Sequence, residues 1–175
     1  MPEEKSISSL DQQGQEAFAK GEYELAARLF SDAAAGYTAS GEVLKATEMN
    51  SNQSVALLRA GHLEEALTML DRVCGVFEKA DDTSRLGIAL GNKATVLSAL
   101  KRWNEAIKFY EEAAIVLERA GEDENRLIVK RQAASLYATR FKFIDALLAV
   151  RDGYLGLHNP SLKQRIVKKL LFIGQ

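Results

Sequence analysis

Residues 101–117 read KRWNEAIKFYEEAAIVL. In that stretch Trp103, Ala106, Ile107, Tyr110, Ala113, Ala114 and Leu117 recur at steps of three and four, which puts them on one face of a helix. Forty residues either way from Ala106 stand Ala66 and Ala146, and forty further back stands Ala26, all in similar settings. Self-similarity at one fixed period marks stacked supersecondary units, each too small to bury its own apolar face.

Bulk composition agrees with that reading. The chain has 175 residues, 47% of them hydrophobic and 27% charged, ordinary globular material for one domain or one short array. It carries only two prolines, Pro2 and Pro160, and an interior free of proline suits long helices, where each proline costs about 3 kcal/mol. Strand-like alternation is missing, so the expected class is all-α. No run of eighteen apolar residues is present to span a membrane. The opening MPEEKSISSLDQQG is acidic and polar where a signal peptide would be basic and then apolar. A single cysteine, Cys74, has no internal partner for a disulfide. That favours a reducing, cytoplasmic setting.

Charge is unevenly spread. Residues 1–87 hold eight Lys and Arg against fifteen Asp and Glu, a net of −7, and residues 88–175 hold fifteen against nine, a net of +6. Such polarity would favour an acidic partner on the second half or head-to-tail association into a homo-oligomer, unless it is only drift in solvated charge.

In chain order, the spacing predicts a helix over 7–20, with Ser6 as its N-cap, and a turn at Gly21. A second helix starts at Tyr23 and stops at 40–42. The unit then recurs as helices over 43–60 and 63–79, 85–100 and 103–120, and 125–140 and 143–157. Asp82 or Thr83 can cap the fifth helix. After 158–160, Ser161 can cap a ninth helix whose stripe is Leu162, Ile166, Leu170 and Ile173, with Lys163, Arg165, Lys168 and Lys169 over much of the rest. A stacked array leaves one apolar face open at its end, which this helix is expected to cover. Basic and apolar faces together also allow a membrane-surface helix.

These columns resemble the tetratricopeptide repeat, and the match covers residues 7 to about 157. Small residues midway along the first helices are Gly14, Ser54, Ala94 and Ala134, and large ones after the turn are Tyr23, Leu63, Trp103 and Phe143. The alanines Ala26, Ala66, Ala106 and Ala146 follow three positions later. Phe30, Leu70, Tyr110 and Val150 come next, then Ala33, Val73, Ala113 and Gly153. Alanine lets the paired helices approach closely, and the large ring is expected to fill the wedge against the neighbouring unit. The period is forty rather than thirty-four, and Thr38, Glu78 and Glu118 replace the usual closing proline. In this the chain is similar to the long-repeat branch, as in soluble NSF attachment proteins and kinesin light chains. The turn glycine fades from Gly21 and Gly61 to Lys101 and Phe141. The resemblance implies a right-handed α-α superhelix of four repeats, about 7–42, 43–83, 84–123 and 124–158, with a capping helix over 161–173, all within one domain spanning 1–175.

It also implies that the first helices line a concave groove for a peptide or helix of a partner protein. Carried over by spacing, groove positions include Gln15 in the first unit and Asn52 and Arg59 in the second. The third gives Asn92 and Thr95, and the fourth Arg131, Gln132 and Ser135. Phe18 and Val55 fall among them. Asn52 and Asn92 are equivalent and could bind successive backbone amides, or bond between neighbouring helices. The chaperone-binding carboxylate clamp known in this superfamily does not fit: its places hold Asp11, Gln15, Asn52, Ile88 and Asn92, where only the central asparagine matches.

Enzyme chemistry finds no footing. His62 and His158 lie far apart with no ligand cluster, so neither a metal nor a cofactor is expected. Glu64 with Glu65, and Glu111 with Glu112, are adjacent helical carboxylates best explained as solvated faces. Residues 87–91, GIALG, lack the context of a phosphate loop. Arg126, Lys130, Arg131, Arg140 and Lys142 cluster near Tyr137 and Phe141, but no base-reading pair recurs, so nucleic acid is not the expected partner. The expected role is a non-catalytic interaction module, scaffold or adaptor, with self-assembly or membrane-peripheral attachment as alternatives.

Overall fold

The computed structural model describes residues 2–139 and 142–172, with side chains described from Ile7 onward. Among the described residues the chain is helical throughout, with no strand: α1 (Pro2–Ala19), α2 (Tyr23–Ala39), α3 (Val43–Ala60), α4 (Leu63–Lys79), α5 (Thr83–Ala99), α6 (Trp103–Arg119), α7 (Asp123–Thr139), α8 (Phe143–Leu155) and α9 (Leu162–Leu171). Each helix packs on the next in sequence.

One turn builds most of this. At Gly21 the N–H donates to the Phe18 carbonyl at 3.0 Å, and the Glu22 N–H donates to Ala17 at 2.9 Å. That pair of bonds is a Schellman motif, which satisfies the last carbonyls of one helix and needs a left-handed residue at its centre. The same pair recurs at Gly41, Gly61, Asp81, Lys101 and Gly121, all with positive φ. Turns inside a helix pair and turns between pairs are therefore alike, and the forty-residue period contains two copies of a twenty-residue device. Lys101 holds φ at 61° without being a glycine, so the turn survives the loss of its best residue at the cost of local strain.

The expected columns are buried in the first three units, whereas Ala146 and Val150 of the fourth are only half-buried. Ala26, Ala66 and Ala106 are fully inaccessible, and Phe30, Leu70 and Tyr110, with Tyr37, Phe77 and Leu117, fill the core beside them. The pattern of buried, half-buried and exposed positions over 51–60 is identical to that over 91–100. Residues 87–91 serve packing. A Cβ at Gly87 would strike the Leu117 side chain, and one at Gly91 would strike Val129.

Four expectations need correction. The first helix begins at Pro2, not after Ser6, because proline at the first helical position gives up an N–H that would lack a partner anyway. The wedge column closes only partly: Tyr23 and Leu63 are half-buried, but Trp103 and Phe143 are exposed, with 38% and 63% of their surface open. The eighth helix is shorter than expected, since α8 stops at Leu155 before Gly156 and the bend at 158–159. Lastly, α9 turns its expected stripe the wrong way. Val167 and Leu171 pack on Leu127, Tyr154 and Leu157, while Leu162, Ile166 and Leu170 face outward. Ile173, Arg140 and Phe141 lie outside the described residues.

The ninth helix is anchored by polar contacts at its start. Ser161 and Gln164 form a reciprocal capping box. Gln164 Nε2 also donates to both Glu124 oxygens, at 3.0 and 2.9 Å. Beside it, Asp123 Oδ2 accepts from the His158 backbone N–H at 2.9 Å and lies 2.6 Å from His158 Nδ1. The His158 backbone N–H, and then its ring, hold the Asp123 pKa below its ordinary value.

Candidate partner-binding groove

The first helices approach one another closely: α3 touches α5, and α5 touches α7, across the intervening second helices. Among the described residues no comparable contact joins α2, α4, α6 and α8 to one another. Gly91 is one local cause, since its missing Cβ admits Val129 of α7.

The structure brings some of the expected groove residues together and separates others. Gln15 and Asn52 share a recess of about 330 Å³ with Phe18, Phe30 and Val55. Gln15 Nε2 donates to Asp11 Oδ1 at 2.9 Å. Phe18 meets the edge of Tyr23 at 5.3 Å between ring centroids, which gives the recess an aromatic wall. Arg59 lies outside it, with its guanidinium 5.7 Å from the Tyr23 ring centre. Asn52 and Asn92 are both half-buried, and among the described residues no hydrogen bond occupies either side-chain amide. Thr95 is engaged elsewhere: its hydroxyl bonds the Gly91 carbonyl at 2.9 Å and sits 3.0 Å from the Tyr110 hydroxyl. Burial raises the Tyr110 pKa above its ordinary value, and the Thr95 bond opposes that.

At the other end, Arg131, Gln132 and Ser135 line a depression of about 280 Å³ with Ile128. Arg131 and Ser135 also border a wider groove of about 540 Å³ between α7, α8 and α9, walled by Leu147, Val150 and Val167. Sequence spacing missed this second groove. Its only signal was the surplus of leucines in 143–157.

Part of the basic cluster around α7 turns inward, Arg126 fully and Lys130 partly, whereas Arg131 and Lys142 are exposed. Arg126 is 5% exposed; its Nη1 donates to the Asp152 carbonyl and its Nη2 to Asp152 Oδ1, both at 2.9 Å. Room for it comes from Gly156, where a Cβ would collide with the guanidinium. Arg126 thus caps the last turn of α8, a favourable place for a cation. Lys130 Nζ pairs with Asp152 Oδ2 at 2.7 Å. Burial works to raise the Asp152 pKa, but Lys130 and Arg126 outweigh it and hold it below the ordinary value. Lys142 lies 5.8 Å from the Tyr137 ring centre, and the Tyr137 hydroxyl donates to Glu111 Oε1 at 2.5 Å. Glu111 is therefore part of an α6–α7 tie and not only a solvated charge. Burial, followed by Glu111, pushes the Tyr137 pKa far up.

Chemical reactivity is muted elsewhere. Burial raises the Cys74 thiol to about 11, which keeps it protonated and weakly nucleophilic at neutral pH. Among the described residues, no group of three or more His, Cys, Asp or Glu is arranged to hold a metal ion, and no helix is long and apolar enough to cross a membrane.

Sequential helix pairs, the alanine contacts and the contacts of α3 with α5 and α5 with α7 define a TPR-like repeat fold. Solved structures share it. A Podosopora anserina protein of nearly identical TPR-like repeats superposes with a TM-score of 0.75 at 14% identity, over 98% of this chain and 84% of that one. A single-substitution form of that protein gives 0.74 at 14% identity, over 95% and 82%. BtubC (BKLC) from P. vanneervenii gives 0.63 at 16% identity, over 99% and 81%. No protein-family model matches the chain, and no curated protein matches it.

Proposed function

We propose that this chain is a non-catalytic, cytoplasmic interaction scaffold that receives a peptide or helix of a partner protein along its first helices. In this reading four helix pairs wind into a right-handed superhelix with α1, α3, α5 and α7 on the concave side. The close approach of α3, α5 and α7 supports that side. The observation that carries the proposal is the pair Asn52 and Asn92. These amides sit forty residues apart on equivalent faces, half-buried and without a side-chain hydrogen bond among the described residues. Each offers a donor and an acceptor, the pair that an extended peptide backbone requires. The Phe18 and Val55 recess beside Asn52 supplies an apolar pocket for one partner side chain.

A photo-crosslinker at position 92 should capture the partner, whereas one at Lys108 on α6 should not. In the purified complex, Asn52→Ala with Asn92→Ala should weaken affinity by about thirtyfold or more, since four hydrogen bonds at roughly 0.5–1.5 kcal/mol each come to about 2–6 kcal/mol. Capture from position 108 with normal binding by the double variant would place the site on the other face.

A second reading rests on the charge split of −7 and +6 between the halves. It is a head-to-tail homo-oligomer. Sedimentation should then show association that weakens as salt rises, and a monomer at every concentration would refute it.

A further inference from the structure

The outward stripe of α9 has no role in the groove. Leu162, Ile166 and Leu170 keep 74%, 56% and 63% of their surface exposed. They lie at i, i+4 and i+8, about 120° round the helix from the face on which Val167 and Leu171 pack. At about 100° per residue, Arg165 and Lys169 border the stripe on one side and Lys163 on the other. Among the described residues none of these three cations is in an ion pair. The capping box and the Gln164–Glu124 bonds hold the helix in this orientation, so the stripe is presented rather than left to rotate inward. On α8, Ile144 and Leu148 are also exposed.

We infer that α9 is a membrane-surface helix that lays this stripe into an anionic lipid bilayer. Three apolar side chains flanked on both sides by long cationic ones match the boundary between acyl chains and acidic headgroups, because lysine and arginine stems lie along the apolar layer while their charges stay in the headgroups. Charge disfavours a second copy docking α9 on α9, since that would juxtapose the same three cations. The acidic half of another copy complements the charge but not the stripe. Among its described residues that half exposes only Leu25, Val43 and Leu44 as large apolar side chains.

The full chain should be sedimented with phosphatidylcholine vesicles with and without phosphatidylserine. Binding is expected only to the anionic vesicles. Ile166→Asp should weaken it by more than about tenfold, and Arg165→Glu with Lys169→Glu should weaken it at least as much. Because residue 166 points outward, thermal unfolding of Ile166→Asp should match the parent, which separates loss of binding from loss of fold. No binding to anionic vesicles, or equal binding by Ile166→Asp, would overturn the inference. So would a lipid-free dimer that Ile166→Asp abolishes, since the occupant would then be a second copy.

Discussion

Replacing Asp152 with alanine should detach α8 from α7 before anything else unfolds. Arg126 is nearly inaccessible, and two of its donors end on Asp152. The bond to the Asp152 backbone carbonyl survives the substitution, whereas the bond from Nη2 to the carboxylate is lost. A hydrogen bond of this charged kind contributes about 1.5–3 kcal/mol. The Lys130 pair adds little, because the Asp152 side chain is 44% exposed and pairs at that exposure contribute about 1 kcal/mol or less. Glu118, 3.8 Å from the guanidinium, remains and offsets part of the loss. The sum is about 2–3 kcal/mol, below the roughly 3–5 kcal/mol seen when a fully buried pair is broken. Contacts in the array run between neighbours, so the loss should stay local. Hydrogen exchange is the suitable assay: amides over 143–155 should exchange about a hundredfold faster, at 1.4 kcal/mol per factor of ten, while those of α3 and α4 should not change. Arg126→Met combined with Asp152→Ala should recover part of the loss, because no buried charge is then stranded. A single variant within about 0.5 kcal/mol of the parent, or a double variant worse than the single, would refute this account of Arg126.

Acid should act through the same carboxylate. Its folded pKa lies below the ordinary 3.8, so its stabilisation is complete above that value and is lost as pH falls through the lower folded one. Melting temperatures of the parent and Asp152→Asn should differ at neutral pH and converge as pH falls below that lowered value. Lys101→Gly should raise stability by about 0.5–1 kcal/mol by relieving a left-handed lysine, and Gly61→Ala should lower it by a similar amount in urea unfolding. Ala106→Leu should cost about 1–3 kcal/mol, because the site is fully closed and has no room for three more carbons. An unchanged melting temperature would mean the alanine is not at the helix contact. His62→Asp should add about 0.5–1 kcal/mol, since His62 occupies an N-cap with no side-chain bond, while Asp82 at the equivalent turn accepts from the Arg85 N–H.

Local, repeated decisions were legible in the chain itself. A small residue every forty positions and a turn residue between helices are short-range requirements, met within a few residues of where they are written. The helix pairs at Val43–Ala60 and Leu63–Lys79 therefore fall where spacing puts them. Part of the candidate groove was legible for the same reason. Gln15 and Asn52 meet in one recess because the same helical face recurs after forty residues. Thr95 was harder to read. Its tie to Tyr110 depends on how far α6 leans onto α5, and no spacing along α5 records that.

Long-range decisions belonged to the tertiary structure. Arg126 and Lys130 read as surface cations until Asp152, on the next helix of the chain, and the missing Cβ of Gly156 came into place around them. The ninth helix shows the division most plainly. Sequence determined that it is amphipathic and basic, with Leu162, Ile166 and Leu170 on one stripe. Which stripe turns inward was decided by Leu127, Tyr154 and Leu157, which offer a small apolar seat that Val167 and Leu171 fill. The Gln164–Glu124 bonds then fix the rotation. A helix with two apolar faces has no intrinsic preference between them, and only the neighbour it meets supplies one.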